Sequence, residues 1–222
     1  MTTPIKIVNA KEMSEKPNQE KIWDIISAPW KEFREKSLEV VEDFLKGKRG
    51  KIIDLGCGTG RNMISNKDIE YWGVDFSKGQ LSHIDKEKVN AKLFKSDITK
   101  LPKEFKDEMF DYGLFIATLH CLETKEARKK SLREFYRVLK DKGEALITVW
   151  NSEDPRFKGM DKELYIPWHR EHVPYLRYYY LYDKQELIDL LEEVGFKILE
   201  INKAKEKDSR FSKKNFIVRV RK

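Results

Sequence analysis

A glycine-rich turn follows the first predicted strand, in the sequence KIIDLGCGTGRN. Gly56, Gly58 and Gly60 stand at alternate positions, which lets the main chain turn tightly and approach a ligand. The N-terminus of a following helix would offer free N–H groups to that ligand. A dinucleotide site would normally have the spacing G-x-G-x-x-G, whereas here the third glycine comes one residue earlier. The alternative is a turn with only a structural role.

Three carboxylates accompany this turn. Asp54 lies two residues before Gly56, and Asp75 closes the second predicted strand 21 residues after Asp54. A carboxylate at that distance would accept hydrogen bonds from the hydroxyls of a ribose. Asp97 closes the third predicted strand. The glycines and the acids together predict a site for a polar ligand that contains a ribose.

The elements that position these residues alternate between strands and helices. Short apolar runs typical of a buried parallel sheet occur between residues 51 and 150, namely KIIDL, EYWGVD, KLFKSD, FDYGLFIA and EALITVW. Two helices are predicted within residues 20–50, an amphipathic helix in KEARKKSLREFYRVLKDKG, and another helix closed by Gly195. KILEIN and FIVRVRK have only a polar loop between them, so residues 196–222 are predicted to form an antiparallel hairpin. This pattern is typical of an α/β fold.

The composition favours a single domain. At 222 residues the chain suits one domain over 19–222, preceded by a loose segment over 1–18. No apolar run approaches the roughly 18 residues that span a bilayer, and the first residues lack the pattern of a targeting segment. Cys57 and Cys121 are too few for a disulfide framework or a four-ligand zinc site. We therefore expect a cytoplasmic protein that binds neither membrane nor metal.

Residues 151–182 are unusual in their aromatic content. Within them, YIPWHREHVPYLRYYYLY combines tyrosines and a tryptophan with two histidines and two arginines. Such a segment is suited to a flat or anionic partner. The alternatives are a tyrosine-rich edge of the core and a metal site in the HREH sequence, for which no cysteine or third histidine lies nearby.

The positive charge is concentrated at the end of the chain. Residues 203–222 contain nine Lys or Arg against Glu206 and Asp208, and so carry the whole net charge of +7. A charge excess confined to one segment is expected for a protein that binds a polyanion such as nucleic acid. The alternative is a solvated run of charges.

The pattern D-x-G-x-G-x-G, with acids closing strands two and three, resembles that of the class I S-adenosylmethionine methyltransferases. This resemblance implies a Rossmann-like, seven-stranded sheet in the order 3-2-1-4-5-7-6, with strand seven antiparallel and helices on both faces. An acidic rim is also compatible with a sulfonium cofactor that carries no phosphate. The cofactor contacts that the resemblance implies are Asp54, Gly56, Gly58, Gly60, Asp75, Phe76, Asp97, Ile98, Ile116 and Ala117.

A closer resemblance is to the tRNA wobble-uridine carboxymethyl methyltransferases, which include the methyltransferase domain fused to an AlkB-type hydroxylase. The sequences FIATLHCLETKEAR, LITVWNSED, YIPW and LRYYYLY carry it, as do Trp23, Asp24, Trp30 and Arg34 near the N-terminus. Departures from the family pattern are Cys121, Ala127 and Tyr180. The chain has neither the Asn/Asp-Pro-Pro-aromatic motif of amine methylation nor the Pro-Cys of C5-pyrimidine methylation.

This second resemblance implies the esterification of a carboxymethyl group on a tRNA uridine. His120, Arg34 and Arg177 would hold the carboxylate, although a histidine at a strand end can also be structural. Trp168, Tyr178 and Tyr179 would stack on the uridine. The basic residues Lys213, Lys214, Arg219 and Arg221 would contact the tRNA backbone. Alternatives are a methyltransferase of a small metabolite and a catalytically idle RNA-binding protein of the same fold.

The resemblance also implies a partner, a small zinc-binding activator protein. The expected strand order leaves AKLFKSD at an edge of the sheet, where residues 91–96 could pair with a strand of another chain. Leu93 and Phe94 would then be available to that neighbour. The alternative is that Lys92 and Lys95 keep this edge solvated.

Overall fold

The computed structural model describes residues 7–86, 88–202, 211 and 213–222. Within these ranges the strands are β1 (Val8–Asn9), β2 (Gly50–Leu55), β3 (Ile69–Asp75), β4 (Ala91–Lys95), β5 (Phe110–Ile116), β6 (Leu139–Trp150), β7 (Glu163–Arg170), β8 (Val173–Tyr180), β9 (Lys197–Ile201) and β10 (Asn215–Arg221). The helices are α1 (Gln19–Ile25), α2 (Ser27–Phe33), α3 (Glu39–Leu45), α4 (Lys78–Leu81), α5 (Lys125–Val138) and α6 (Lys184–Val194). No helix of the described ranges is long and apolar enough to cross a membrane.

Seven strands form the main sheet, in the order β4-β3-β2-β5-β6-β10-β9. β10 is antiparallel to both of its neighbours, and the pairs from β4 to β6 are parallel. Ile52 and Ile53 of β2 lie in different apolar clusters because successive side chains of a strand point to opposite faces. The cluster with Ile53 includes residues of α5 and α6, whereas the cluster with Ile52 includes residues of α3. The predicted fold, strand order and antiparallel strand are confirmed.

The N-terminal part is more ordered than its sequence indicates. Three helices form where two were predicted, because the chain turns at Ile26 (ψ 3°) and again at Arg34 (φ −135°). Pro29 is tolerated in the first turn of α2, where its missing N–H has no helical acceptor. The prediction of a loose segment over 1–18 is wrong from Val8 onward, since β1 pairs with β7.

A second, three-stranded sheet has the order β1-β7-β8. It contains the aromatic sequence over 165–182, and its hairpin turns at Glu171 and His172, both in the left-handed region. Gln19 of α1 attaches this sheet to the N-terminal helices. Its side chain donates to the carbonyl of Leu176 (3.3 Å) and accepts from the N–H of Tyr178 (3.0 Å). The helices and the hairpin thereby form one wall over the main sheet.

Strand β4 is the edge of the main sheet on one side. Contrary to expectation, Leu93 and Phe94 are occupied within the chain: Phe94 stacks on Trp72 with ring centroids 5.1 Å apart, and Leu93 packs against a core cluster. Lys92 and Lys95 form ion pairs with Glu70 (2.7 Å) and Glu20 (2.8 Å). Only the outward main-chain groups of β4 are therefore left for a neighbour.

We predict that Gly113→Ala destabilises the protein by about 1–3 kcal/mol through overpacking. A Cβ atom at Gly113 of β5 would lie 2.4 Å from Cζ of Phe135, so α5 packs directly on the strand. Urea unfolding of the single variants and of Gly113→Ala/Phe135→Leu measures the effect. The double variant is expected to lose less stability than the sum of the two single losses, and full additivity would contradict this packing.

Candidate active site

A cleft lies at the carboxyl ends of β2, β3 and β5. Its walls come from the glycine turn, the loops after β3, β4 and β5, and helices α1 and α2. About 1040 Å³ of empty space lies between the walls, counting the part that opens to solvent. Such a crevice at the carboxyl edge of a parallel sheet is the usual ligand site of open α/β folds.

The glycine turn forms the floor of the cleft. Gly56, Gly58 and Gly60 all have positive φ, at 69°, 54° and 75°. A Cβ atom on Gly56 would lie 2.1 Å from Cγ2 of Thr118, and one on Gly60 would lie 2.8 Å from Cγ1 of Ile84. At Gly58, by contrast, no atom would come closer than 3.5 Å. Two of the glycines allow close packing within the protein, and Gly58 leaves the main chain open to a ligand.

Asp75 connects the glycine turn after β2 with the turn after β3. Its Oδ2 accepts the N–H of Gly58 and its Oδ1 accepts the N–H of Ser77, each at 2.9 Å. Burial raises the pKa of Asp75 to about 6, although these hydrogen bonds favour the ionised form. A carboxylate has about four lone-pair sites, so two remain for hydroxyl donors in the cleft.

Asp54 lies behind the glycine turn and does not line the cleft. It is 1% exposed, and its Oδ2 has no hydrogen-bond partner. Burial, assisted by the charge of Asp75, raises the pKa of Asp54 to about 8. This carboxyl group is therefore mainly protonated at neutral pH, unlike Asp75.

The other residues expected to contact a nucleoside all line the cleft: Phe76, Asp97, Ile98, Ile116 and Ala117. Ala117 has a φ of 52°, and its N–H donates to the carbonyl (3.1 Å) and the hydroxyl (2.9 Å) of Thr148. Phe76 remains partly exposed beside Asp75, where its ring can cover a flat ligand. Of the ten residues expected around the cofactor, all but Asp54 and Gly60 therefore line the cleft.

Two arginines, Arg34 and Arg61, line the cleft directly, whereas Arg177 does not line it. Burial lowers the pKa of both, with a smaller contribution from Arg177 on Arg34 and from Arg34 on Arg61. None of the three arginines has a carboxylate partner among residues 7–86, 88–202, 211 and 213–222. Partly buried guanidinium groups without a counter-ion favour the binding of an anion.

Aromatic rings surround the guanidinium of Arg177. Its Cζ lies 5.2 Å from the ring centroid of Trp30, 5.3 Å from those of Trp168 and Tyr179, and 5.8 Å from that of Trp23. One amino group of Arg177 donates to the hydroxyl of Tyr179 (2.8 Å), and Nε of Arg177 has no hydrogen-bond partner among the described residues. The rings hold a buried cation through cation–π attraction without neutralising it.

His120 does not lie where the sequence suggested. It is 0% exposed and absent from the cleft wall, where the neighbouring Cys121 stands instead. Its Nδ1 accepts the N–H of Trp150 (3.2 Å), and its ring stacks on Trp150. Burial, together with the charge of Arg34, lowers its pKa to about 3. His120 is thus a neutral supporting residue behind the site, which corrects its expected contact with the carboxylate.

Two of the three expected stacking residues are already packed inside the protein. Tyr178 faces away from Arg177 because neighbouring residues of β8 point to opposite faces, and it packs against Tyr165. Tyr179 faces Arg177 but is 2% exposed and stacked on Trp150, with centroids 4.2 Å apart. Both expectations of base stacking are therefore wrong for this conformation. Trp168 does not line the cleft, but its ring contacts that of Trp30, which does.

The sequence did not single out Phe33 and Arg61. Phe33 is 71% exposed and its ring meets that of Trp168 at a centroid distance of 5.7 Å. The sequence signal for Arg61 was its position directly after Gly60, and the signal for Phe33 was its place between Trp30 and Arg34 on an N-terminal helix. The surroundings of both side chains, however, depend on contacts between distant parts of the chain.

The basic residues at the end of the chain differ in their environment. Arg219 forms ion pairs with Asp43 (2.7 Å) and Glu200 (3.8 Å), and Arg221 with Glu144 (2.7 Å). These two arginines are neutralised on the sheet, which corrects their assignment as free phosphate contacts. Lys213 and Lys214 have no carboxylate partner in the described part of the chain. The remaining charges at 203, 205, 207 and 210 lie outside the described residues.

The geometry does not support the alternative of a metal site in the HREH sequence. His169 and His172 lie at the exposed hairpin tip, and no three His, Cys, Asp or Glu side chains of the described residues could hold a metal ion. Burial raises the pKa of Cys121 to about 12, so its thiol is not a ready nucleophile.

Comparison with known proteins places the chain in a family. The methyltransferase domain family matches residues 53–147. A candidate methyltransferase of Encephalitozoon cuniculi is 32% identical over 67% of this chain and 71% of its own length. The tRNA (carboxymethyluridine(34)-5-O)-methyltransferase of Saccharomyces cerevisiae is 32% identical over 67% of this chain, which spans about half (55%) of the yeast protein.

A solved structure supports the fold. The 1,6-didemethyltoxoflavin-N1-methyltransferase of Burkholderia thailandensis, with bound S-adenosylhomocysteine, superposes with a TM-score of 0.66 over 97% of this chain and 94% of its own, at 15% identity. The chain is a class I S-adenosylmethionine-dependent methyltransferase. It belongs to the methyltransferase family that contains the yeast and Encephalitozoon proteins.

The cleft fits S-adenosylmethionine. Asp75 has free acceptor sites for the ribose, the open face of Gly58 allows close approach, and Phe76 and Ile98 can enclose the adenine. The ionised Asp75 also matches the positive charge of a sulfonium. These residues would hold the cofactor, which supplies an electrophilic methyl group when bound.

We predict that the affinity for S-adenosylmethionine falls roughly tenfold between pH 7 and pH 5. Only ionised Asp75 accepts both ribose hydroxyls, and with a pKa of about 6 it becomes protonated as the pH falls through that value. Calorimetry should show that Asp75→Asn binds S-adenosylmethionine more weakly than the wild type, and that its affinity changes less with pH. Asp54→Asn is the control that retains the dependence between pH 5 and 7. A wild-type affinity that does not change with pH would contradict the role of Asp75.

Proposed function

We propose that the protein methylates the carboxymethyl group of a wobble uridine in tRNA, converting 5-carboxymethyluridine to 5-methoxycarbonylmethyluridine. The observation that carries this proposal is that Arg34, which lines the cleft, and the nearby Arg177 have no carboxylate partner among the described residues. Guanidinium groups bind carboxylates in charge-assisted, often bidentate, hydrogen bonds. The named activity of the yeast relative supports the same acceptor.

A carboxylate acceptor does not require a general base from the protein. With a pKa near 4, a carboxylate is already ionised at neutral pH and needs no proton removed. His120 is buried with a pKa of about 3, and Cys121 has a pKa of about 12, so neither is placed to act as a base at neutral pH. The task of the protein is then to orient the acceptor, which can supply roughly 7–11 kcal/mol of the barrier.

Arg177 is suited to holding the acceptor carboxylate without lowering its nucleophilicity. Tyr179 accepts one of its N–H groups, and the surrounding rings fix the plane of the guanidinium. Its remaining donors can bind one carboxylate oxygen and leave the other to react. Arg34, with its Cζ 4.0 Å from the centroid of Trp30, would share this contact from the same cluster.

The surface around the cleft favours RNA over a small acid. Phe33 and Trp168 form an aromatic pair next to Trp30 of the cleft wall, and base–aromatic stacking contributes about 1–3 kcal/mol per base. Arg170 lies beside it and donates to the carbonyl of Ile25 (3.0 Å). A methyltransferase of a small carboxylic acid would have no use for an exposed ring at Phe33. A methyltransferase of a small molecule and a catalytically idle RNA-binding protein of the same fold remain the alternatives.

We predict that Arg177→Gln lowers kcat/KM for methyl transfer to tRNA by roughly 10- to 100-fold while S-adenosylhomocysteine binds as before. The expected loss is that of a hydrogen bond to a charged group. Kinetics with tRNA that contains carboxymethyluridine and calorimetry with the cofactor product measure the two quantities. Arg49→Gln is the control, because Arg49 is exposed and paired with Asp68 at the opposite end of β2. Weaker cofactor binding in Arg177→Gln would contradict its place on the acceptor side.

We predict that Lys213→Gln/Lys214→Gln weakens tRNA binding and lowers the slope of log affinity against log salt by roughly 0.7–0.9 per lost contact, since each phosphate contact releases counter-ions. Arg219→Gln/Arg221→Gln removes the same charge from groups that are already ion-paired. Filter binding at several salt concentrations should therefore give a smaller change in slope for that pair. A larger change in slope for the arginine pair than for the lysine pair would place the tRNA on the sheet rather than near the lysines.

We also propose that a small zinc-binding activator protein pairs along residues 91–96. The main-chain bonds Tyr71 N–H to Asn90 C=O (2.8 Å) and Ser96 N–H to Asp75 C=O (3.0 Å) turn the even-numbered residues of β4 toward β3. The N–H groups of Leu93 and Lys95 consequently point outward, whereas proline at Phe94 would disrupt the sheet itself.

Lys95→Pro is therefore expected to abolish stimulation of tRNA methylation by the activator, whereas Lys95→Ala should retain it because the outward N–H remains. The measurement is the methylation rate with increasing activator for each variant. If the single chain is fully active and no activator increases its rate, the proposal of a partner is contradicted.

A further inference from the structure

One face of the β7–β8 hairpin carries a band of side chains that begins at Arg177. In the strand pairing, Trp168 lies opposite Tyr175, and Arg170 lies opposite Val173. Opposite residues of an antiparallel pair share a face. Arg177 shares it too, because it lies two residues after Tyr175 on β8. This face therefore leads from the guanidinium of Arg177 outward to the exposed tip of the hairpin.

Exposed apolar side chains border the outer part of this face. Five large hydrophobic side chains of the described residues are exposed, and three of them lie here: Ile25, Phe33 and Val173. Phe33 is the most exposed of the five and contacts the ring of Trp168. The carbonyl of Ile25 accepts from Arg170 of the hairpin (3.0 Å). Single exposed apolar residues are common, but a group of them beside a cleft indicates a binding surface.

Phe33 is the outermost of three rings that begin at the cleft wall. Trp30 lines the cleft and lies 5.4 Å from Trp168 between ring centroids, at an interplanar angle of 65°. Phe33 meets Trp168 at an interplanar angle of 74°. Neither contact is a parallel stack, so the exposed ring of Phe33 keeps a face open to a flat group. A nucleobase is such a group.

The surroundings of the three rings favour RNA as the occupant of this surface. Cζ of Arg34 lies 4.0 Å from the ring centroid of Trp30, and Cζ of Arg177 lies 5.3 Å from that of Trp168. Neither arginine has a carboxylate partner among the described residues. Sites for unpaired RNA combine rings that stack on bases with cations that attract the phosphates. Because the surface continues directly from the acceptor half of the cleft, one RNA strand can occupy both.

We propose that Phe33, supported by Trp168, binds the base next to the wobble uridine in the RNA strand. The uridine reaches inward to the arginines, and its neighbour leaves the stack of the anticodon loop to lie on the ring of Phe33. The inference rests on the proposed function, because it takes a tRNA uridine as the acceptor. It adds a base contact outside the nucleotide that reacts.

Equilibrium binding of anticodon stem-loop RNAs to the intact protein tests this contact. One RNA is complete, with 5-carboxymethyluridine at the wobble position, and in two others the nucleotide on its 5′ or its 3′ side is abasic. Phe33→Ala is expected to weaken binding of the complete RNA roughly 5- to 150-fold, which corresponds to the loss of one base stack. One of the abasic RNAs should bind the wild type more weakly by a similar factor. That RNA should lose no further affinity in Phe33→Ala.

Two further variants are the controls. Phe33→Trp keeps an aromatic ring and should retain the affinity for the complete RNA. Leu199→Ala removes another exposed apolar side chain, on edge strand β9, and should change the affinity for none of the RNAs. S-adenosylhomocysteine should bind Phe33→Ala as tightly as the wild type, because Phe33 does not line the cleft.

The proposal is overturned if both abasic RNAs bind the wild type as tightly as the complete RNA, or if Phe33→Ala weakens all three RNAs equally. It is also overturned if Phe33→Ala leaves RNA affinity unchanged but abolishes self-association or the binding of another protein. Methyl transfer to the complete RNA is measured separately. If the transfer fails while Phe33 and the neighbouring base remain coupled, the proposed function is wrong and the base contact stands. If the transfer succeeds without that coupling, only the base contact is wrong.

Discussion

The carboxylate of Asp75 joins the two halves of the active site. It accepts the N–H of Gly58 after β2 and the N–H of Ser77 after β3. Asp24 of α1 accepts in turn from the hydroxyl of Ser77 (2.6 Å) and the N–H of Gly79 (2.8 Å). Helix α1 then holds β8 through Gln19. A continuous set of hydrogen bonds therefore runs from the cofactor pocket to the strand that carries Arg177.

The distribution of charge in the cleft follows from burial. Asp54 and Asp75 are both buried, but two N–H donors lower the cost of ionising Asp75, whereas Oδ2 of Asp54 has none. One acid is therefore available as an anion near neutral pH and the other is mainly a neutral supporting group. The guanidinium of Arg177 is surrounded by aromatic rings and has no carboxylate partner among the described residues. Each such cation–π contact contributes about 0.5–2 kcal/mol, and none of them blocks an incoming anion.

The sequence predicted the cofactor half well because its signals are local. The glycine spacing and the acids at strand ends depend only on positions along the chain, and the family resemblance that they carry implied Phe76, Ile98 and Ala117, which line the cleft. The acceptor half depends on which residues meet across the fold, as when Arg170 contacts Ile25. Tyr178 was misassigned because three consecutive tyrosines cannot share one face of a strand. His120 was misassigned because a strand end does not reveal which side of the wall a ring occupies.

The central claim is that the methyl group is transferred to a carboxylate oxygen. The most direct test is to incubate the purified protein with methyl-labelled S-adenosylmethionine and tRNA that contains 5-carboxymethyluridine, and then to treat the labelled tRNA with mild alkali. A methyl ester is hydrolysed and releases its label as methanol, whereas methyl groups on nitrogen or carbon stay on the RNA. We expect release of the label as methanol. Label that remains on the RNA after alkali would contradict a carboxylate acceptor.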